Sequence, residues 1–394
     1  MANVAGSQVV LSLIKESTYG TTPTVNTGDM TALALVTKDI NGENSEINSR
    51  TVTPDGFAPI GTTGFESVTG SLEFELSAGT LDFNIPLVAN SDWTTDDASE
   101  ASVGVDFAAS GSTATRSVGD WTTTFDVGDA VIISGAAEAE NNGLRVITAL
   151  TATVMTLTDK MEDGEAVAIV DEITATISVQ GHSKYIDHVQ TNYSYSAQRK
   201  VGDDYYTYTG VVSGGWGLSV TPDNTVSMTT DLLGKAEAGP TGTPLDSAPT
   251  EQSGSNPFSP VDAAIFIHTG GIAMECATDL SVTLNANIST APVIASTVSC
   301  GVQRGTISFD GSTVTVFYDD VTSFPSSDTT FAMSIVFREA GTERFLSLYF
   351  PEAKILNRTL TVPSTENVTQ QLSLTIGKAA GSPLVRYGYN ENAS

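Results

Sequence analysis

Basic residues are scarce in this chain: 17 Lys and Arg stand against 46 Asp and Glu among 394 residues, a formal net charge of −29. Proteins that grip nucleic acid do so through Lys and Arg that displace counterions, so a phosphate-grasping DNA or RNA binder is excluded. Cysteine is nearly absent, with only Cys276 and Cys300. Two thiols cannot staple a chain of this length, so the fold must stand on burial and strand pairing, which is compatible with a reducing compartment. The pair is expected to be two buried thiols. Long hydrophobic runs are also missing. The most apolar window, 261–274, carries His268 and two glycines and is too short to cross a bilayer. The opening MANVAGSQVVLSLIKES has no basic n-region, and Lys15 and Glu16 interrupt its apolar stretch, which suits a strand better than a signal peptide. Neither a membrane span nor Sec export is expected.

What remains points to β structure. Hydrophobic residues make up 40% of the chain and charged ones 16%, too apolar for disorder and lean in helix-forming Glu, Lys, Arg and Leu. Period-two alternation runs through much of the sequence. In GSLEFELS, Leu72, Phe74 and Leu76 share one face while Ser71, Glu73, Glu75 and Ser77 share the other. Trp216, Leu218 and Val220, then Val226 and Met228 beyond a Pro-Asp-Asn turn, make 215–232 a hairpin. Further strands are expected at 7–15, 31–38, 280–289, 305–318, 331–338, 344–350 and 366–377, with turn signals at Asp310-Gly311 and Ala340-Gly341. One short helix is expected from Leu81, Ile85 and Val88, with Pro86 kinking or ending it.

Two stretches, 39–66 and 234–260, are rich in Gly, Pro, Asn, Ser and Thr and read as long loops. Loops of that length are binding segments or loose surface chain. After Trp93, the pieces FDVGDAVIISG, NNGLRVITAL, TATVMTLTDK and GEAVAIVDE alternate strand and turn chemistry. They read as an inserted small β unit over 96–174, interrupting a discontinuous core of 1–95 and 175–394.

Catalytic chemistry finds little support. There are three histidines, His182, His188 and His268, no Gly-x-Ser-x-Gly elbow, and neither cysteine stands in a catalytic context. His182 and His188, at even spacing, would share a strand face, but without further ligands they make a weak metal signal. Asp203-Asp204 beside Tyr205, Tyr206 and Tyr208 is the best candidate for paired-carboxylate work, with a solvated turn before a strand as the preferred reading. Asp39, Asn41 and Glu43 alternate as calcium ligands could, but the later Glu of an EF-hand is missing. No catalytic residue, metal or cofactor is expected, and the chain reads as a non-enzyme.

The order of segments resembles the tail tube (major tail) proteins of long-tailed bacteriophages. The carriers are KESTYGTTPT at 15–24, ESVTGSLEFELSAGTLDFNIPLVANSDW at 66–93, YYTYTGVVSGGWGLSVTPDNTVSMTTDLLGK at 205–235, DLSVTLNANIS at 279–289 and LYFPEAKI at 348–355. The resemblance implies a mainly β fold: a tail-tube-type β-sandwich or barrel with one short helix, here with an inserted small all-β domain. It further implies a structural virion protein whose hexameric rings self-assemble into a tube, the conduit for DNA ejection. Implied partners are further copies of the chain, a tape measure protein, tail terminator and distal tail or baseplate proteins, and double-stranded DNA that passes without specific binding. Assembly would take place in the host cytoplasm. Six copies would carry about −174 per ring, and a carboxylate-lined bore would not hold phosphates. Glu73 and Glu75 are the lumen-facing candidates, because they occupy the polar face of a strand that is apolar on the other. Arg50 and Phe57, in the segment where such proteins carry a hairpin to the neighbouring ring, are the inter-ring candidates. The insertion is expected on the exterior, since a folded module would block the bore. Competing readings are an acidic surface-layer or adhesin subunit, which predicts an export signal, and a carbohydrate-active enzyme on a β scaffold, which predicts clustered aromatics. Three Trp in the whole chain do not favour the latter.

Overall fold

A strand with apolar residues at every second position can bury one face and wet the other, and most of this chain takes that solution. The computed structural model describes residues 5–391 apart from 49, 52–56, 58–59, 109–111, 163–164, 168–171, 189–190, 254–255, 269–271, 275–276, 319–328 and 366. Strands account for 55% of the chain and helix for 6%, which makes the fold mainly β.

Eight strands pair antiparallel across the main sheet in the order Thr37–Ile47, Thr62–Glu75, Ser227–Gly234, Gly215–Val220, Ala277–Asn285, Thr313–Phe317, Thr369–Gly377 and Phe345–Thr361. On one face Leu72, Phe74, Met228, Leu218, Val282, Val314 and Leu372 are all but fully buried. Each such side chain gains about 1.5–3 kcal/mol from leaving water. Because a one-residue slip would turn all of them outward, this face sets the register. The first half of Phe345–Thr361 also pairs with Thr330–Arg338 and Arg386–Asn390, closing the far side of the core. There Trp216 donates its indole N–H to the Tyr387 hydroxyl at 2.7 Å.

A second layer is formed by Val10–Lys15, Tyr195–Val201, Asp204–Ser213 and Ala236–Thr241, paired in that order. Its Leu11, Leu13, Ala197 and Tyr208 pack on Ile40, Val68 and Leu72 of the main sheet and on Leu87 of the helix. The strand Asp204–Ser213 joins the layers, since Val212 and Ser213 cross to pair with Leu233 and Leu232.

The single α-helix among the described residues is Leu81–Ala89, and Pro86 does not end it. Leu81, Ile85, Leu87, Val88 and Ala89 are buried, so packing outweighs the hydrogen bond that Pro86 removes. The stop comes instead at Asn90, with φ of 51°, a left-handed position that Asn tolerates.

Neither expected long loop is a loop throughout. Residues 39–47 and 62–66 lie in the strands Thr37–Ile47 and Thr62–Glu75, so the first is a long hairpin. The second contains the strand Ala236–Thr241 and is pinned by Asp246, whose carboxylate accepts backbone N–H groups from Gly28, Met30 and Ala248 at 2.9–3.1 Å. Burial would raise that carboxyl, but these amides hold it below its usual value. The Ala340-Gly341 turn joins Thr330–Arg338 to Phe345–Thr361 as expected. Asp310-Gly311 does not make a hairpin. The pieces on either side, Ser308–Phe309 and Thr313–Phe317, both pair with Ala277–Asn285, so the dipeptide is a bend along one edge.

The insertion closes on itself. Ser99–Ala108, Thr113–Arg116, Val154–Leu157, Gly143–Leu150, Ala130–Ser134 and Glu172–Gln180 pair in a ring that returns to Ser99–Ala108, leaving no open edge in that ring. Its core includes Trp121, Phe107, Phe125, Val131, Ile147 and Met155. The expected return to the main body at residue 175 needs correction. Strand Glu172–Gln180 belongs to the inserted ring, because its alternating Ile177 and Val179 fill that core. The first strand back in the main body is Lys184–Asp187, which lies beside Thr94–Thr95 at the point of exit.

Candidate functional site

The face of the main sheet opposite the core carries the most distinctive chemistry. Starting from Glu73, its partners across the ladder are Thr37 on one side and Thr229 on the other; Glu75 lies opposite Ser227, and Asp231 opposite Ser71. The same face continues through Ser219, Ser281 and Thr283, then Thr313 and Thr315, then Ser373 and Gln371. Glu73 accepts from the Thr37 hydroxyl at 3.1 Å and Glu75 from the Thr225 hydroxyl at 2.8 Å. Seven carboxylates lie on this face at Asp39, Glu43, Glu73, Glu75, Asp231, Asp279 and Glu352, with Lys354 as the one base among its described strand residues. Hydroxyls and carboxylates thus dominate one continuous wall and give it an anionic character.

The second feature is the hairpin of Thr37–Ile47 and Thr62–Glu75. Its root is clamped. Glu237 accepts the backbone N–H of Gly42 at 2.7 Å, and the Glu237 backbone N–H donates to Glu66 at 2.7 Å. Arg199 donates to the Ile40 carbonyl and, at 3.1 Å, to the Asn41 side chain. Toward the tip the described side chains are exposed: Arg50, with Ile47, Phe57 and Ile60 at 62%, 72% and 95%. The exposed apolar side chains make this end of the hairpin a candidate contact surface.

The KESTYG segment is a structural anchor. Glu16, nearly buried, accepts from the Ser194 and Ser196 hydroxyls at 2.6 and 2.7 Å and from the Gly20 and Gly210 amides at 2.7 and 2.9 Å. Tyr19 lies against Gly210 and bonds Ser299 through its hydroxyl at 3.1 Å. Gly210, at φ of 64°, has no room for a Cβ beside Lys235 and Tyr19. The segment thereby ties the first strand, the second layer and the 291–301 loop together.

The insertion meets the body through an apolar and an ionic contact. Ala130, Ile132, Leu144, Val146 and Met161 of the insertion pack on Phe266, Val336 and Phe345. Beside them Arg386 bonds Asp126 at 2.7 Å and lies 3.6 Å from Asp129, which in turn lies 3.6 Å from His182 Nδ1. Burial pushes the Asp129 carboxyl up and the His182 imidazole down, while burial acting to lower Arg386 is outweighed by Asp129, Asp126 and Asp187.

The residues screened for catalysis are dispersed among structural roles. His182 and His188 do not share a strand face, because the strand between them is only Lys184–Asp187 and both lie beyond its ends. His268 stacks on Tyr349 at 5.2 Å and bonds Ser334 at 2.9 Å. Asp203 and Asp204 are exposed at a turn leading into Asp204–Ser213. Asp39, Asn41 and Glu43 lie along a strand, with Asn41 donating to Asp39 at 2.6 Å. Among the described residues no group of three His, Cys, Asp or Glu is placed to hold a metal, and no helix is long and apolar enough to cross a membrane. Cys300 is exposed and not buried as expected, because it lies in the loop before Val302–Arg304; Cys276 falls outside the described residues.

The histidines give the fold an acid sensitivity. Burial presses His188 and His268 down to about 4 and lowers His182. A depressed pKa means stability that is complete above the ordinary value near 6.5 and lost as pH falls toward 4. Asp129, raised, works in the opposite sense. The variant His268→Gln should therefore lose about 1–2 kcal/mol less than the parent between pH 6.5 and 5. Denaturant melts at both pH values check this, and parallel losses would contradict it.

A sequence model of the phage tail tube protein family matches residues 6–380, nearly the whole chain. The chain belongs to the phage tail tube protein family. A tail tube protein is a structural component of the virion tail that assembles with copies of itself into a tube, and the mainly β fold agrees with that family. No curated protein matches the sequence. In this tail tube protein the matched span brackets the insertion. The hairpin tip, the anionic sheet face and the clamped KESTYG segment therefore all belong to a subunit built to meet copies of itself.

Proposed function

We propose that this subunit forms six-membered rings that stack into the tail tube, with the hydroxyl- and carboxylate-bearing face of the main sheet lining the bore through which double-stranded DNA leaves the particle. The observation that carries the reading is the composition of that face: Glu73, Glu75 and five further carboxylates against Lys354 as the one base among its described strand residues. DNA carries about one negative charge per 1.7 Å of axis. A wall of the same sign within the screening length of about 8 Å keeps phosphates from docking, so the polymer slides. Lateral joining needs strand edges and apolar surface, and the distal end of Phe345–Thr361 offers both. Beyond Lys354 it pairs, among the described residues, on one side only, with Thr369–Gly377, and Leu356 and Leu360 are 57% and 47% exposed there. Arg50 and Phe57 act at the contact with the neighbouring ring. The tape measure protein occupies the bore during assembly in the host cytoplasm, and terminator and distal tail proteins close the ends.

Electron microscopy of the purified protein tests this. Six-fold rings or hollow filaments are expected; uniform monomers at concentrations well above those of assembly in the cell would contradict it. The insertion, a closed ring of strands seated on Phe266, Val336 and Phe345, projects outward in this reading. Removing residues 99–180, with Phe266→Ser and Val336→Thr to cover the apolar surface left behind, should leave tubes of smaller outer diameter. A folded core that no longer makes tubes would count against the exterior placement.

A further inference from the structure

Two clefts meet at the end of the main sheet where Thr37–Ile47 starts and Thr62–Glu75 stops. One, of about 340 Å³, is lined on its apolar side by Leu33, Leu35, Val36 and Pro257. The other, of about 250 Å³, lies between Glu73, Glu75 and the turn residues Asn224 and Thr225. Val36 and Glu75 line both, so the two form one groove with an apolar half and an anionic half. The apolar half is of a size that takes whole side chains, and Val36 is 59% exposed in it. The anionic half is uncompensated. Glu73 accepts from the Thr37 hydroxyl and Glu75 from the Thr225 hydroxyl, and neither meets a Lys or Arg among the described residues. Lys38, the one base among the described lining residues, is committed to the Val9 carbonyl at 2.9 Å. The backbone is open as well. Ala34 gives its N–H to Gln252 and Val36 gives its own to the Glu73 carbonyl, both at 2.8 Å, whereas the N–H and carbonyl of Leu35 between them are unpaired among the described residues.

We propose that this groove binds an extended peptide segment of a partner protein, one that carries Lys or Arg beside Leu- or Ile-sized side chains. Each part of the groove has a use in that complex. The apolar half takes an aliphatic side chain out of water, Glu73 and Glu75 select a basic neighbour and fix its register, and the free Leu35 amide and carbonyl pair with the segment's backbone as in strand addition. Other occupants fit less of it. A nucleic acid is repelled by the two carboxylates. An uncharged apolar ligand leaves them and the Leu35 backbone unused. A second copy of this chain is a poor source of the segment, with 17 basic residues against 46 acidic ones. The inference goes beyond the tube reading and does not need it, because every residue of the groove belongs to a single subunit. In the tube reading the groove opens on the bore, where such a segment is held and DNA is not.

Fluorescence anisotropy of the full-length protein tests this with three short labelled peptides, alternating Lys and Leu, Lys and Ser, or Glu and Leu. The Lys-Leu peptide should bind at least about tenfold more tightly than either of the others. Glu73→Gln with Glu75→Gln should weaken it by at least about tenfold, and Val36→Ser several-fold. Both variants should keep the parental melting temperature, since these side chains lie outside the core. Asp203→Asn with Asp204→Asn, the same change of charge at an exposed turn elsewhere, should bind as the parent does. Equal binding of the Lys-Leu and Lys-Ser peptides, or an equal loss in the Asp203 and Asp204 variant, would show attraction to net charge alone and overturn the inference. Binding untouched by Val36→Ser would do the same. The outcome is separable from that of the tube reading: subunits that bind the peptide but make no tubes sustain the inference, and tube-forming subunits that do not bind it overturn the inference and leave the tube standing.

Discussion

Deleting residues 44–60 is expected to leave a folded subunit that no longer polymerises. The described residues of the segment make little of the core. Residues 43–48 are exposed, as are Arg50, Phe57 and Ile60, whereas the apolar contacts of the hairpin are made at its root by Ile40, Val68 and Leu72. The root is also where Glu237 and Arg199 hold it. Loss of the tip should therefore move the melting temperature by no more than a few degrees, since surface changes away from core and network residues cost about 0.5 kcal/mol or less. Assembly should fall by at least about a hundredfold, because six contacts that act together are lost together. Sedimentation and electron microscopy read the outcome. Normal-length tubes from the deleted chain would defeat the role assigned to the hairpin.

Reversing charge on the sheet face should leave assembly intact and stop transport. In Glu73→Lys with Asp231→Lys, two carboxylates per subunit become ammonium groups on a wall where Lys354 is the one base among the described strand residues. Both lie on the face away from the core, so folding should change little. Each basic group now within reach of a phosphate can hold it and release a counterion, which makes binding strong and salt-dependent. Ejection of DNA from particles carrying the variant should slow at least about tenfold, and raising salt should restore part of the rate. The neutral pair Glu73→Gln with Asp231→Asn should eject near the parental rate. Equal ejection by all three would mean that this wall does not meet DNA.

How much of this could be read beforehand depended on whether one face of a segment is apolar. GSLEFELS was legible because Leu72, Phe74 and Leu76 fill a core while Glu73 and Glu75 do not, so the polar face followed from a period of two. The distal hairpin was not, because Asn41 to Ile47 is largely exposed on both faces and has no alternation to see. Its strands are set by backbone pairing and by the distant Glu237. The end of the insertion was misplaced for a related reason: Ile177 and Val179 alternate as a strand in either sheet would, and only the partner strand decides. Asp246 and Glu16 carried no local signal either. Their amide and hydroxyl donors lie as far away as Gly28 and Gly210, so nothing adjacent in sequence marks either carboxylate as an anchor.

The orientation of the eight-stranded face in the assembled particle tests the account most directly. A density map of the tube by electron cryo-microscopy, at a resolution that places side chains, should put Glu73, Glu75, Asp231 and the flanking Ser and Thr residues around the central channel, with the inserted barrel outside. A channel lined by lysine and arginine, that face turned to the outer solvent, or a filament with no channel would contradict it.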